Sequence, residues 1–229
     1  MRRMLAERYK KDGKEGLFPW ADHLREWSES LQVYLYGVIA KEFDILMYVV
    51  HTSRGHTVDL IKHLYTQGTP IISETLVSYL GTTAHELESQ GMRFQRKIKP
   101  PIRYQTDQER LWKGIQLGTV TCMGTDTIPY TSKYMASQLF WDAGPGLNSQ
   151  WIDSVAILYT NRTHTGRVVD PNNEIELGVE RMRGNTDYSI WQGRTAKSVP
   201  IRTHLRGQLI AQDGEVVQEI PIGLQRVQR

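Results

Sequence analysis

Short runs rich in apolar residues alternate along this chain with longer stretches in which apolar residues recur every three or four positions. The short runs predict strands, and they lie at residues 45–50, 69–77 and 120–123. The longer stretches predict helices, and they lie at residues 2–12, 23–41, 57–67 and 107–117. Because the run at 45–50 is apolar throughout, it is typical of a strand buried on both faces.

The helix predicted at 23–41 has one apolar face, which we expect to pack in the core with Trp27 as a core residue. The residues of that face are Leu24, Trp27, Leu31, Leu35, Val38 and Ile39. Residues 13–19, which end in a proline, are expected to form a loop. Residues 98–103 contain two prolines and are expected to be extended.

Strands and helices thus follow one another in turn over the first two thirds of the chain, which predicts an α/β fold with a parallel sheet and crossover helices. Beyond residue 145 the pattern predicts one more helix at 151–159 and then short strands. Asp213-Gly214, between two apolar-rich runs, predicts a hairpin. We therefore predict an α/β unit over residues 1–161 and a β-rich unit over 167–229.

Composition excludes several classes of function. The net charge is only +3, and the basic residues are dispersed, so no nucleic-acid surface is expected. The chain lacks the ~18-residue apolar run of a membrane span, and its basic N-terminus lacks the apolar core of a secretory signal. Cys122, in an apolar strand, is expected to be a small core residue rather than a nucleophile. We expect a soluble, cytoplasmic protein.

Two predicted strands end in polar side chains that could carry chemistry. The run at 120–123 leads through Gly124 to Asp126, and the run at 45–50 leads to His51. An aspartate after a glycine is often only a turn former, but groups just past the carboxyl ends of barrel strands are often catalytic. Glu74 and Thr75, in the strand between, could line the same mouth or simply pack.

Several fragments, in this order and spacing, resemble cyclic-amide hydrolases of the amidohydrolase superfamily, the dihydropyrimidinases and hydantoinases. The fragments are YVVHTS (48–53), ISETLVSYL (72–80), KPPIR (99–103), GTD (124–126), GPG (144–146), VDP (169–171), YSIWQGR (188–194) and LRGQLIAQDGEVV (205–217). The resemblance implies the last three or so strands of a TIM-type barrel over residues 1–161, followed by a small β-sandwich segment.

The resemblance also implies a chemistry. Members of this family hold two metal ions, usually zinc, at the barrel mouth, and open hydantoin or dihydropyrimidine rings to carbamoyl amino acids. His51 matches the metal-binding histidine of the sixth strand. Asp126 matches the aspartate of the eighth strand, a metal ligand that also transfers the proton. Lys99 stands where the family has a small hydroxyl residue beside the substrate, and Asn148 matches a substrate-binding asparagine. The family is typically homotetrameric.

The departures from the family are equally specific. The chain contains no H-x-H pair, no lysine in the place of the carboxylated lysine, and no histidine matching the fifth strand. Three barrel strands cannot close a barrel, so the apolar face of residues 45–50 is expected to meet water. The chain is therefore expected to be truncated and inactive by itself. The alternatives are a non-catalytic, dihydropyrimidinase-related scaffold protein and a remnant without function.

Overall fold

The computed structural model describes residues 2–90, 96–128, 130–136, 140–142, 168–169, 172–181, 186–197, 200–205, 208–213 and 215–217. Its helices are α1 (Arg2–Lys11), α2 (Leu17–His23), α3 (Glu26–Glu42), α4 (Gly55–Thr66), α5 (Val77–Gly81), α6 (Ala84–Ser89), α7 (Gln105–Gln116) and α8 (Ser132–Ala136). Its first strands are β1 (Met47–Val49), β2 (Ile71–Leu76) and β3 (Cys122–Gly124). The later strands are β4 (Val168–Val169), β5 (Glu174–Leu177), β6 (Arg194–Lys197), β7 (Pro200–Leu205), β8 (Gln208–Gln212) and β9 (Glu215–Val216).

The predicted parallel sheet is confirmed. Strands β1, β2 and β3 lie side by side in that order and are parallel, with Tyr48 opposite Ile72 and Thr75 opposite Met123. Helices α4 and α7 connect these strands and pack against each other. Within the described residues the three strands form an open sheet, and no barrel is closed. The carboxyl ends of all three strands consequently lie at one edge of the sheet.

The loop predicted at 13–19 is confirmed for residues 13–16 and wrong from Leu17, where α2 begins, and the long helix predicted from residue 23 begins only at Glu26. Proline is tolerated in the first turn of a helix, where its missing N–H would have no partner, so Pro19 does not prevent α2. The helix is held by tertiary contacts. Trp20 is buried and its indole N–H donates to the carbonyl oxygen of Ile98 at 2.7 Å.

The apolar face predicted for the long helix is not its packing face. Trp27, Leu31, Leu35, Val38 and Ile39 are all 43 to 56% exposed, so the assignment of Trp27 to the core is wrong. The buried positions of α3 carry smaller residues, which are Val33, Gly37 and Ala40. A Cβ atom on Gly37 would lie 2.6 Å from a methyl group of Leu64 on α4. The two helices are therefore too close for large side chains between them.

Strand β1 is buried on one face only, which corrects the prediction of two buried faces. Val49 is buried and contacts α3 and α4, whereas Leu46, Tyr48 and Val50 are exposed. Residues two apart in a strand point to the same face. This exposed apolar face confirms the expectation that part of residues 45–50 meets water.

The strands described beyond residue 167 pair in antiparallel fashion. Strands β4, β7, β8 and β9 make one sheet and β5 pairs with β6. The predicted hairpin is confirmed, since Gln212 pairs with Glu215 and Asp213 has a positive φ of 50°. The predicted helix at 151–159 and the predicted boundary at 161–167 lie outside the described residues.

One hydrophobic core joins the two parts of the chain. Its buried residues from the parallel-sheet part include Leu76, Leu80 and Leu111, and those from the later part include Leu177 and Trp191. Arg194 also donates to the carbonyl oxygen of Gly81 at 2.6 Å. Within the residues described, no helix combines the length and the apolar character that crossing a membrane requires.

Candidate functional site

The candidate site lies where the three parallel strands end. His51 comes two residues after β1, Asp126 comes two residues after β3, and Glu74 lies in the central strand β2. His51 and Asp126 both have a left-handed backbone, with φ values of 54° and 47°. Aspartate and histidine adopt this conformation more readily than most residues, which explains locally why the strands can turn here.

The structure brings the two predicted ligands together. Nε2 of His51 lies 3.9 Å from Oδ2 of Asp126, and both side chains are partly exposed at the edge of the sheet. On the other side of the ring, Nδ1 of His51 lies 3.0 Å from Oε1 of Glu74. The imidazole therefore stands between two carboxylates, one from β2 and one from the turn after β3.

Glu74 is shared by a second group that sequence reasoning missed. The hydroxyl of Tyr48 donates to Oε2 of Glu74 at 2.8 Å, and this hydrogen bond to a carboxylate raises the pKa of Tyr48 above its usual value. Tyr48 and Glu74 lie on the same face of neighbouring strands because Tyr48 is in register with Ile72. Because side chains alternate between the two faces of a strand, the sequence could have placed Tyr48 on this face. It could not have identified Glu74 as the partner of Tyr48.

Thr75 belongs to the packing rather than to the mouth. It is fully buried and donates to the carbonyl oxygen of Thr52 at 2.8 Å. The backbone N–H of Thr52 in turn donates to the carbonyl oxygen of Glu74 at 2.8 Å. These two bonds continue the pairing of β1 and β2 past the strand end. They fix the position of the backbone that carries His51.

The loop after His51 is held by two charged groups, the half-buried Glu29 and the buried Arg103. Glu29 on α3 accepts hydrogen bonds from the backbone N–H groups of Ser53 and Arg54 at 3.1 Å and from the Ser53 hydroxyl at 2.6 Å. Arg103 donates to the same hydroxyl at 3.2 Å. Burial lowers the pKa of Arg103 to about 10, which still leaves the guanidinium charged near neutral pH. Sequence reasoning gave no signal for Glu29, since it lies within an ordinary helical pattern.

A cleft of about 390 Å³ runs along β1 and reaches His51. It is lined by Tyr48 and Val50 of the strand region, by Tyr36 of α3 and by Pro100. Lys99, predicted to lie near the substrate, is exposed and precedes Pro100 at this cleft. Asn148 lies outside the described residues. Cys122 is a free, partly buried cysteine of β3.

The donors present do not complete a zinc site. Two donors that share one zinc ion at ~2.0–2.2 Å lie within about 3.5 Å of each other, so His51 and Asp126 need only a small movement to share one. A catalytic zinc needs at least three protein ligands. Within the part of the chain that the structure describes, no group of three or more histidine, cysteine, aspartate or glutamate side chains is arranged to hold a metal ion.

Known proteins resemble this chain over part of their own length. No family model matches the chain. The D-phenylhydantoinase of Escherichia coli O127:H6 is 24% identical over 214 residues, covering 73% of this chain and 44% of that protein. The L-hydantoinase (dihydropyrimidinase) from Arthrobacter aurescens has a similar structure, with a TM-score of 0.83 and 19% identity over 95% of this chain and 56% of that one.

A more remote structural neighbour is the inactive dihydroorotase-like domain of the Chaetomium thermophilum CAD-like multifunctional protein. It has a TM-score of 0.52 and 18% identity, covering 85% of this chain. The chain spans about half the length of the hydantoinases that it matches. The chain is thus a distant homologue of the D-hydantoinases and dihydropyrimidinases, and its likeness covers part of their length.

Proposed function

We propose that this chain forms part of a metal-dependent hydrolase of cyclic amides, acting on the C–N bond of hydantoin or dihydropyrimidine rings. The observation that carries the proposal is the placement of His51 and Asp126. They follow the two strands that flank β2, and Nε2 and Oδ2 face each other across 3.9 Å. The homology to D-hydantoinases supports the same reaction class.

In this reaction the oxygen of water bonds to the ring carbonyl carbon, the C–N bond breaks, and the released nitrogen takes up a proton. The product is a carbamoyl amino acid. Asp126 is the group of this chain that we assign to the proton transfer, because a carboxylate beside the reacting carbonyl can accept the proton of water and pass it to nitrogen. No step is assigned to zinc, since the described donors do not complete its site.

The proposed site is tested by NMR on the chain with ¹⁵N-labelled histidines. Co²⁺ is added stepwise as a paramagnetic probe, and the broadening of each histidine ring signal is measured. We expect Co²⁺ to broaden the ring signals of His51 first and the Asp126→Asn variant to weaken this effect. Asp44→Asn is a matched control, because Asp44 is exposed and has a similar φ of 50°. Broadening at the exposed His63 with His51 unchanged would overturn the proposed site.

The activity is tested by incubating the chain with zinc and either hydantoin or dihydrouracil and measuring the carbamoyl product. We expect no product above background from the chain alone. We expect product when the chain is co-expressed with the segment of a D-hydantoinase that it does not match, and loss of product with Asp126→Asn. Product that forms equally well with Asp126→Asn would contradict the assigned role.

A second candidate is a non-catalytic relative, a scaffold protein of the same fold. Two observations favour it: the missing third donor among the described residues and the likeness to an inactive dihydroorotase-like domain. The coding DNA on both sides of this reading frame distinguishes the candidates. A neighbouring in-frame segment with an H-x-H strand end and a strand-end lysine supports the hydrolase, and stop codons or unrelated sequence support the non-catalytic relative.

A further inference from the structure

The carboxylate of Glu74 occupies a space that is built for it. Glutamate is uncommon in strands, yet Glu74 lies in the central strand of the sheet and its side chain is mostly buried. A Cβ atom added to Gly124 on the adjacent strand would lie 3.1 Å from the carboxylate carbon of Glu74 and 3.2 Å from both its oxygens. The glycine of the GTD fragment thus leaves room for this carboxylate.

Both oxygens of Glu74 face a polar group. Oε2 accepts the hydrogen bond from Tyr48, which fixes the plane of the carboxylate. Oε1 lies 3.0 Å from Nδ1 of His51, but in this geometry the two atoms do not form a hydrogen bond. Both atoms are buried, and neither has a hydrogen-bond partner among the described residues. A buried donor and a buried acceptor at this distance lose free energy unless they pair.

We infer that Glu74 is a positioning residue: because its nearby carboxylate oxygen can only accept a hydrogen bond, it favours the tautomer of His51 with the proton on Nδ1. The lone pair of Nε2 then points towards Asp126. At 3.9 Å Nε2 makes no hydrogen bond to Oδ2, so in this tautomer its lone pair is available to a cation or an electrophile. The hydrogen bond made by one ring nitrogen commonly sets the state of the other in this way.

This inference deepens the proposed function. The role of the Nε2 lone pair rests on that proposal, but the tautomer of His51 can be measured without any metal. Two-bond ¹H–¹⁵N correlation spectra of the histidine-labelled chain distinguish the two tautomers of a neutral ring. We expect His51 to show the proton on Nδ1. Glu74→Ala is expected to shift His51 towards the Nε2-protonated tautomer. Glu74→Gln, whose carbonyl oxygen can still accept the bond, is expected to restore the Nδ1 tautomer.

A matched control is available in the same chain. Glu26 lies 2.5 Å from Nε2 of His56, and both side chains are more than half exposed. Glu26→Ala should therefore leave the tautomer of His51 unchanged. If Glu74→Ala fails to fold, the spectra of the unsubstituted chain and of Glu74→Gln carry the test by themselves.

An Nε2-protonated His51 in the unsubstituted chain would overturn the inference, as would a Glu74→Ala variant in which the tautomer is unchanged. Failure of the proposed function gives a different result. In that case the Nδ1 tautomer depends on Glu74 as expected, while Co²⁺ leaves the His51 signals unaffected.

Discussion

Arg103 and Ser53 are joined by a hydrogen bond of 3.2 Å from Nε to the serine hydroxyl, across 50 residues of sequence. The bond connects the extended segment that contains Pro100 to the loop that follows His51. The guanidinium also donates to the carbonyl oxygens of Ala21 and Leu24 at 2.5 and 3.3 Å. One buried side chain thus ties α2, the strand-end loop and the edge of the cleft into one unit.

We predict that Arg103→Met lowers the free energy of unfolding by about 2 kcal/mol, because it removes three buried hydrogen bonds, although Arg54 still donates to the carbonyl oxygens of Ala21 and Leu24. Arg103→Lys should cost less, since an ammonium group keeps the charge but not the planar arrangement of donors. Urea unfolding followed by tryptophan fluorescence measures both. Arg8→Met, at an exposed helix position, is the control and should change stability little. A loss for Arg103→Met no larger than that of the control would contradict the structural role.

The exposed face of α3 gives a second prediction. Leu35 is 56% exposed and Val33 is 7% exposed, although they are only two residues apart in the same helix. Leu35→Ala should therefore change the stability of the isolated chain by less than about 0.5 kcal/mol, whereas Val33→Ala should cost about 1 kcal/mol or more. Thermal unfolding of both variants, checked for a common oligomeric state, measures the difference. Equal losses would mean that the outer face of α3 is covered in solution.

Lys97 provides a prediction about pH. Its side chain is fully buried beside Trp20 and donates to the carbonyl oxygen of Phe140, and burial lowers the pKa of Lys97 to about 8. Between about pH 8 and the unfolded value of 10.5, the unfolded chain binds more protons at this site, so stability rises with pH there. Below about pH 8 Lys97 is charged in the folded chain as well, so the fold carries the full free-energy cost of the buried charge.

Lys97→Met should therefore stabilise the protein near neutral pH, by about 1 kcal/mol after the loss of the hydrogen bond to Phe140 and of the cation–π contacts with Trp20 and Phe140 is allowed for. The difference between the variant and the unsubstituted chain should shrink as the pH rises from 8 towards 10. Chemical unfolding at a series of pH values measures it, and Lys113→Met on α7 is the control. A difference that grows with pH would be the wrong sign.

Helix α6 begins with a capping box, which gives a local prediction. The hydroxyl of Thr83 accepts from the backbone N–H of Glu86, and the Glu86 carboxylate accepts from the backbone N–H of Thr83. Thr83→Ala should cost about 1 kcal/mol of stability, and Thr83→Ser should retain most of it. Thermal unfolding distinguishes the two variants. Equal stability of both would show that the cap contributes nothing.

The parallel sheet and the two strand-end residues were predictable because each follows from local patterns. An apolar run ending in His51 and another ending in Gly124 and Asp126 identify strand ends, and parallel strands bring such ends to one edge. The face of α3 was predicted wrongly for a physical reason. Periodicity shows that large apolar residues share a face, but Gly37, which sets how closely α4 approaches, carries no apolar signal.

The partners of the site residues could not be predicted, because they depend on register and on contacts far apart in sequence. Whether Tyr48 meets Glu74 depends on which residue of β2 lies opposite it. Glu29 reaches Ser53 only because α3 folds back over the strand end. Such charged groups resemble surface residues in sequence, and only the fold shows that they are partly buried.

The left-handed backbone at His51 and Asp126 has a consequence for how this chain can change over generations. Glycine adopts that conformation without the cost of about 1 kcal/mol or more that other side chains carry, and asparagine tolerates it well. In a lineage that does not use the imidazole and the carboxylate, substitution of residues 51 and 126 by glycine or asparagine would therefore raise the stability of the fold. A survey of descendants of this sequence under selection for stability alone should therefore find glycine and asparagine accumulating at residues 51 and 126 before other substitutions in the strand-end loops.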